Sequence, residues 1–164
     1  MKRLLVSACL LGQPLRYDGD DNAAKVAHLY HLLQRWQQQG RLIPVCPETL
    51  GGLPTPRPPA EITNASAEQI LNGQGCILTE AGENVTQAFI QGAQRTLEIA
   101  LEHGADGALL AARSPSCGHG EVYDGQFQRQ LTQGDGVTTA LLKRHGIRCF
   151  RPADSEALIA WMAL

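Results

Sequence analysis

Three cysteines stand where chemistry can be built, each just past an apolar run. Leu4-Leu5-Val6-Ser7-Ala8 leads into Cys9, and Leu42-Ile43-Pro44-Val45 leads into Cys46. Ala108-Leu109-Leu110-Ala111-Ala112 leads into Arg113-Ser114-Pro115-Ser116-Cys117-Gly118. Glu48 follows Cys46 by two residues, and a Gly/Pro-rich stretch from Gly51 to Pro59 comes next. Soft sulfur at strand ends beside an acid is a donor set for a metal centre with proton chemistry at its side. The other two cysteines, Cys76 beside an Asn72-Gly73 turn signal and Cys149 inside a short apolar run, read as small buried hydrophobes.

Three thiolates without a fourth have a definite chemical meaning. Structural zinc takes four protein ligands, usually with C-x-x-C pairs, and no such pair occurs here. A [4Fe–4S] cluster normally takes four cysteines, which can come from distant loops. Held by three, it leaves one iron open, and that iron suits a sulfur-bearing substrate. Spacing alone leaves other readings open: a non-catalytic iron–sulfur sensor or nucleotide-binding module, or a zinc hydrolase with three thiolates and a water. A cysteine-nucleophile enzyme is a further one, although no Cys–His–Asn or Cys–His–Asp order stands out.

The elements that must position these residues follow from periodicity. Residues 3–8 read as a buried strand, and Asn22 as the N-cap of a helix over about 23–39 with Val26, Leu29, Tyr30, Leu33 and Trp36 on one face. Strand 41–46 completes a βαβ unit, so the two strands should be parallel. Gly51–Pro59 reads as a stiff loop walling a pocket, with Arg57 its only positive charge. Residues 61–80 suggest one or two short strands around Asn72-Gly73. Asn84 or Thr86 caps a helix to about 103 with Val85, Phe89, Leu97, Ala100 and Leu101 apolar. Then come strand 106–112, a partly ordered loop over 119–134, helix 137–145, strand 147–151 and helix 154–163. The alternation predicts one Rossmann-like, three-layer α/β domain over residues 1–164, with a mostly parallel sheet.

Composition narrows the setting. The chain has 164 residues, 43% hydrophobic and 18% charged, with a formal charge of −2. These values fit a globular protein and give no basic footprint for duplex DNA. No apolar run approaches the roughly 20 residues that span a bilayer. The run behind Met1-Lys2-Arg3 is broken by Gly12 and Pro14, so it reads as a strand rather than a signal peptide. The expected compartment is the reducing cytoplasm, where five cysteines serve as ligands, nucleophiles or core filler.

Read together, the short motifs resemble one family along nearly the whole chain. They are Cys9-Leu10-Leu11-Gly12, Arg16-Tyr17-Asp18-Gly19, Pro44-Val45-Cys46-Pro47-Glu48, Gly51-Gly52-Leu53 and Pro56-Arg57, then Val85-Thr86, Ser114-Pro115-Ser116-Cys117-Gly118 and Tyr123-Asp124-Gly125. In this order they resemble the bacterial thiouracil desulfurases, a family long catalogued as a domain of unknown function. The resemblance implies an oxygen-sensitive [4Fe–4S] cofactor on Cys9, Cys46 and Cys117. It also implies that the sulfur of a thiolated uracil, the small-molecule partner, binds the open iron before water replaces it. The chain departs from the usual pattern at Leu15, where many members carry another cysteine, and at Arg113, where lysine is common.

Replacing C=S by C=O requires activated water and a proton donor, which makes Glu48 the first catalytic candidate, against a role in capping the following turn. Ser114 and Ser116 either hydrogen-bond the base or its sulfur or make an ordinary tight turn. His119 reads equally as a proton relay, a fourth ligand or a solvated loop residue. Arg16, Asp18, Arg57 and Asp124 read as loop braces.

Overall fold

Apolar runs without alternation need cover on both faces. In the computed structural model, which describes residues 1–164, the first run receives it: Leu4, Leu5 and Val6 are each 0% exposed. In chain order the elements are β1 (Leu4–Ser7), α1 (Tyr30–Gln38), β2 (Leu42–Val45), α2 (Pro47–Leu50), β3 (Ala60–Thr63), α3 (Ala67–Leu71) and β4 (Cys76–Thr79). They continue with α4 (Thr86–Glu102), β5 (Gly107–Leu109), β6 (Glu121–Tyr123), β7 (Leu131–Gln133), α5 (Val137–Arg144), β8 (Arg148–Phe150) and α6 (Ser155–Met162).

The central sheet has the order β2-β1-β5-β8, and every pairing in it is parallel. Leu4 and Val6 pack with Leu33 and Trp36 of α1 and with Leu158, Trp161 and Met162 of α6. Leu5, one residue out of phase, packs on the other face with Ala100 of α4 and Leu142 of α5. Those are the three layers the alternation predicts. Burying each such aliphatic side chain contributes roughly 1.5–3 kcal/mol. β2 lies on one side of β1, while β5 and β8 lie on the other. The winding therefore reverses between β1 and β5, which opens a crevice at their carboxyl ends.

Several local expectations are corrected. The helix over 23–39 is two pieces, a 3₁₀ segment over Ala23–Leu29 and then α1, with Val26 at φ −121° between helical turns. Asn22 does not cap it, because its side chain is engaged with Arg16 and Cys9. Tyr30 is 56% exposed and Leu101 is 61% exposed, so neither joins the core. Between β3 and β4 lies a helix, α3, started by a reciprocal capping box between Ser66 and Gln69. Cys76 is half-buried rather than core, whereas Cys149 is buried. Only Gly107–Leu109 of the 106–112 run is in the ladder. Residues 119–134 hold the antiparallel hairpin β6–β7. Its strands have three residues each and β7 is wholly exposed, so alternation is too short to register.

Two close approaches set the site. A Cβ on Gly51 would lie 1.9 Å from the Ala88 carbonyl oxygen, and one on Gly92 would lie 2.0 Å from that of Pro47. Helix α2 thus rests backbone to backbone on α4. A Cβ on Gly136 would meet the Ser116 carbonyl at 2.3 Å, so the Ser114–Cys117 loop sits directly on the start of α5.

Candidate active site

The crevice is a cavity of about 1020 Å³, and Cys9, Cys46, Cys117, Glu48 and Ser114 all line it. The three cysteines reach it from three different strand ends, Glu48 comes with Cys46, and Ser114 with Cys117. β1 runs into a 3₁₀ turn, Ala8–Leu11, which carries Cys9 and closes on Gly12 at φ 91°. The Asn22 side-chain amide donates to Cys9 Sγ at 3.4 Å. β2 ends at Cys46, and Pro47 at the first helical position starts α2 at once. Thr49 Oγ1 donates to Cys46 Sγ at 3.1 Å. Beyond β5, the Cys117 N–H donates to Ser114 Oγ at 2.7 Å, and Ser7 Oγ donates to the Cys117 sulfur at 3.8 Å. Ser7 Oγ also accepts from the Ala111 N–H at 3.0 Å, tying the ends of β1 and β5 together.

Glu48 is fixed by Arg57. Both Nε, at 3.0 Å, and Nη2 of the guanidinium donate to Glu48 Oε2, with the side chains only 5% and 15% exposed. Arg57 also donates to the Leu15 carbonyl at 3.0 Å and to Thr55 Oγ1 at 3.0 Å, so the stiff loop, the Leu15 segment and α2 form one unit. No protein group donates to Glu48 Oε1, which leaves that oxygen for a ligand.

The electrostatics disfavour bare thiolates. Burial raises the Cys117 thiol far above its usual range, and the nearby Glu48 and Cys9 add to this. Burial also raises Cys9; the Asn22 hydrogen bond opposes this, while Cys46 and Glu48 reinforce it. Sulfur anions crowded with a carboxylate call for a cationic group among them.

The remaining candidates are placed differently. The Ser116 hydroxyl is turned behind the loop, 2.8 Å from Thr138 Oγ1, and Ser116 does not line the cavity. His119 lines a second cavity of about 670 Å³ along β8, with Lys143 and Cys149. Its Nδ1 is buried without a partner, and burial, then Lys143, lowers its pKa. Cys149, in the same cavity, is pushed up to about 12 by burial. Sequence reasoning passed over Ser7, Asn22 and Thr49, which touch the three sulfurs, and Glu61, a buried acid of the cavity wall. A polar residue inside or beside an apolar strand, as at Ser7 and Glu61, was the available signal.

A family model described as 2-thiouracil desulfurase matches residues 4–154. The chain belongs to the 2-thiouracil desulfurase family. It is similar to the uncharacterized protein YbbK of Bacillus subtilis (strain 168), with 41% identity over 145 residues, covering 88% of this chain and 92% of that protein. A solved structure of the [4Fe–4S]-dependent thiouracil desulfidase TudS matches with a TM-score of 0.86 and 42% identity over 100% of both chains.

The donor set of this desulfurase family member suits a cluster. No three His, Cys, Asp or Glu side chains converge closely enough to hold a single metal ion. A mononuclear zinc draws each sulfur to about 2.3 Å from one point. Three thiols that line one cavity from three strand ends fit a polynuclear group whose ligands sit at separate corners.

Proposed function

We propose that the protein is a [4Fe–4S]-dependent desulfurase that replaces the thiocarbonyl sulfur of a thiolated uracil with oxygen, with Cys9, Cys46 and Cys117 holding the cofactor. The observation that supports this most is one cavity lined by the three strand-end thiols and an anchored carboxylate. When bound to three thiolates, such a cluster supplies an open iron, a soft Lewis acid for sulfur. The net reaction consumes one water and releases uracil and hydrogen sulfide.

In this reading Glu48 does the proton work. Arg57 pins Oε2, and Oε1 takes a proton from the attacking water and returns it to the departing sulfur. Ser114 Oγ accepts from the Cys117 N–H, so its own O–H remains to donate to the substrate. Ser116 positions Cys117 by engaging both Thr138 and the Cys117 sulfur. A single domain, residues 1–164, carries every part. No helix is long and apolar enough to cross a membrane.

The test is anaerobic reconstitution with iron and sulfide, metal analysis, and an assay of sulfide release from 2- and 4-thiouracil. The expected result is about four irons per chain and turnover of at least one isomer. A folded, fully loaded protein that leaves both isomers untouched would return the assignment to an iron–sulfur sensor. Zinc in place of iron would return it to a hydrolase.

A further inference from the structure

Glu61 is a second carboxylate in the wall of the same cavity, and its environment differs from that of Glu48. It lies on β3 and is only 8% exposed, although no cation pairs with it. Its Oε1 accepts from the Gly125 N–H at 2.9 Å and from the Phe127 N–H at 3.3 Å, both in the turn between β6 and β7. That turn is pressed onto β3, since a Cβ on Gly125 would lie 2.7 Å from the Ile62 carbonyl oxygen. Phe127 and Arg129 of the turn line the cavity, each at φ 56°. One oxygen of Glu61 therefore holds the turn in place over the cavity.

The other oxygen is free. No protein group donates to Oε2, that oxygen is not fully buried, and Glu61 lines the cavity. An oxygen on a carboxylate this buried is only thinly hydrated, and a ligand N–H can take the place of that water. A thiouracil ring offers one beside the reacting carbon: N3–H is adjacent to both C2 and C4, so it neighbours the thiocarbonyl in either isomer. We infer that Glu61 is a substrate-recognition residue, with Oε1 fixing the 125–127 turn and Oε2 accepting the N3–H of the thiolated pyrimidine. This rests on the thiouracil reading above. It divides the work between two acids: Glu48, fixed by a guanidinium, moves protons, and Glu61, fixed by two backbone N–H groups, reads the ring.

The experiment measures dissociation constants of the reconstituted holoenzyme for 4-thiouracil and 3-methyl-4-thiouracil, in wild type, Glu61→Gln and Glu61→Ala. Glutamine keeps an oxygen for the two turn N–H groups but places an N–H where the free oxygen stood. A hydrogen bond to a charged group implies that Glu61→Gln weakens 4-thiouracil binding by about 10- to 100-fold. Methylation at N3 should weaken wild-type binding by a similar factor and have little effect in Glu61→Ala. If Glu61→Ala does not fold, the same comparison is made with Glu61→Gln, which retains the turn contact. Binding within twofold of wild type in the variants, or an unchanged methylation penalty in them, overturns the inference and leaves Glu61 as a turn anchor. Wild-type protein that binds 4-thiouracil but converts neither it nor 2-thiouracil breaks the desulfurase reading, while the binding comparison still decides Glu61. Wild-type protein that binds neither isomer overturns both.

Discussion

The wall that carries Cys46 and Glu48 and the wall that carries Phe127 face the same cavity, but one is a helix packed backbone on backbone against a second helix and the other is a short hairpin that meets β3 at Gly125 and is otherwise held at a few points. On the first wall, α2 lies on α4 through Gly51 and Gly92, and Arg57 joins Glu48, Leu15 and Thr55. On the second, β7 is exposed throughout. The turn is anchored by Glu61, and the base by the Asp135 carboxylate accepting from the Gly120 N–H at 2.9 Å. The difference matches what each wall has to hold. Under the proposed function the first wall supplies a cluster ligand, whose position must be fixed to a fraction of an ångström, while the hairpin only closes one side of the cavity.

The largest effects should come from the rigid wall and the strand ends. Alanine at Cys9, Cys46 or Cys117 is expected to remove most of the iron and all activity, while serine at Cys76 or Cys149 keeps both. Iron analysis after anaerobic reconstitution checks this. A folded Cys149→Ser protein without iron would show that the choice of three sulfurs from five is wrong. Next comes Glu48→Gln, which should keep iron and substrate binding and lose about 10²–10⁴-fold in rate, the usual share of general acid–base catalysis. Turnover near the wild-type rate would reassign Glu48 to holding the loop through Arg57.

A third substitution tests whether packing distinguishes the walls. Gly92→Ala places a methyl group 2.0 Å from the Pro47 carbonyl oxygen, so α2 must shift. Overpacking of this kind costs about 1–3 kcal/mol. Denaturant melts should show that loss, accompanied by reduced iron loading, because Cys46 moves with α2. Normal iron loading despite the lost stability would separate cluster assembly from the fit of α2 on α4.

The smallest effect lies beneath the hairpin base, where Arg151 is paired with Asp154 at 2.9 Å. The hydrogen bonds from Arg151 hold the Asp154 carboxyl below the ordinary aspartate value of 3.8. A carboxylate whose folded pKa is depressed contributes stability above its unfolded pKa and loses it as pH falls through the folded value. Asp154→Asn should therefore cost under about 1 kcal/mol at neutral pH, since the pair is partly exposed. The gap from wild type should close in melts well below pH 3.8. A gap that persists in acid would mean that the loss is one of hydrogen-bond geometry rather than charge.

The sequence by itself determined the parallel α/β layers, because the runs at 4–6 and 108–110 are apolar on both faces and only a sheet covered on both sides can bury them. It also placed Cys9, Cys46 and Cys117 past carboxyl strand ends, where the structure has them after β1, β2 and β5. Only the tertiary structure decided which neighbours those side chains meet. Ser114 and Ser116 are two residues apart and chemically identical, yet the seating of the loop on α5 leaves Ser114 in the cavity and turns Ser116 toward Thr138. The partnership of Arg57 with Glu48 spans nine residues and follows from the path of a loop that no periodicity encodes. The bond from Glu61 to Gly125 spans 64 residues and depends on β3 and the hairpin meeting over the cavity. Local patterns fix elements because backbone hydrogen bonding and solvent exposure repeat with the chain. Contacts between distant loops do not repeat, and they are set only when the whole core has closed.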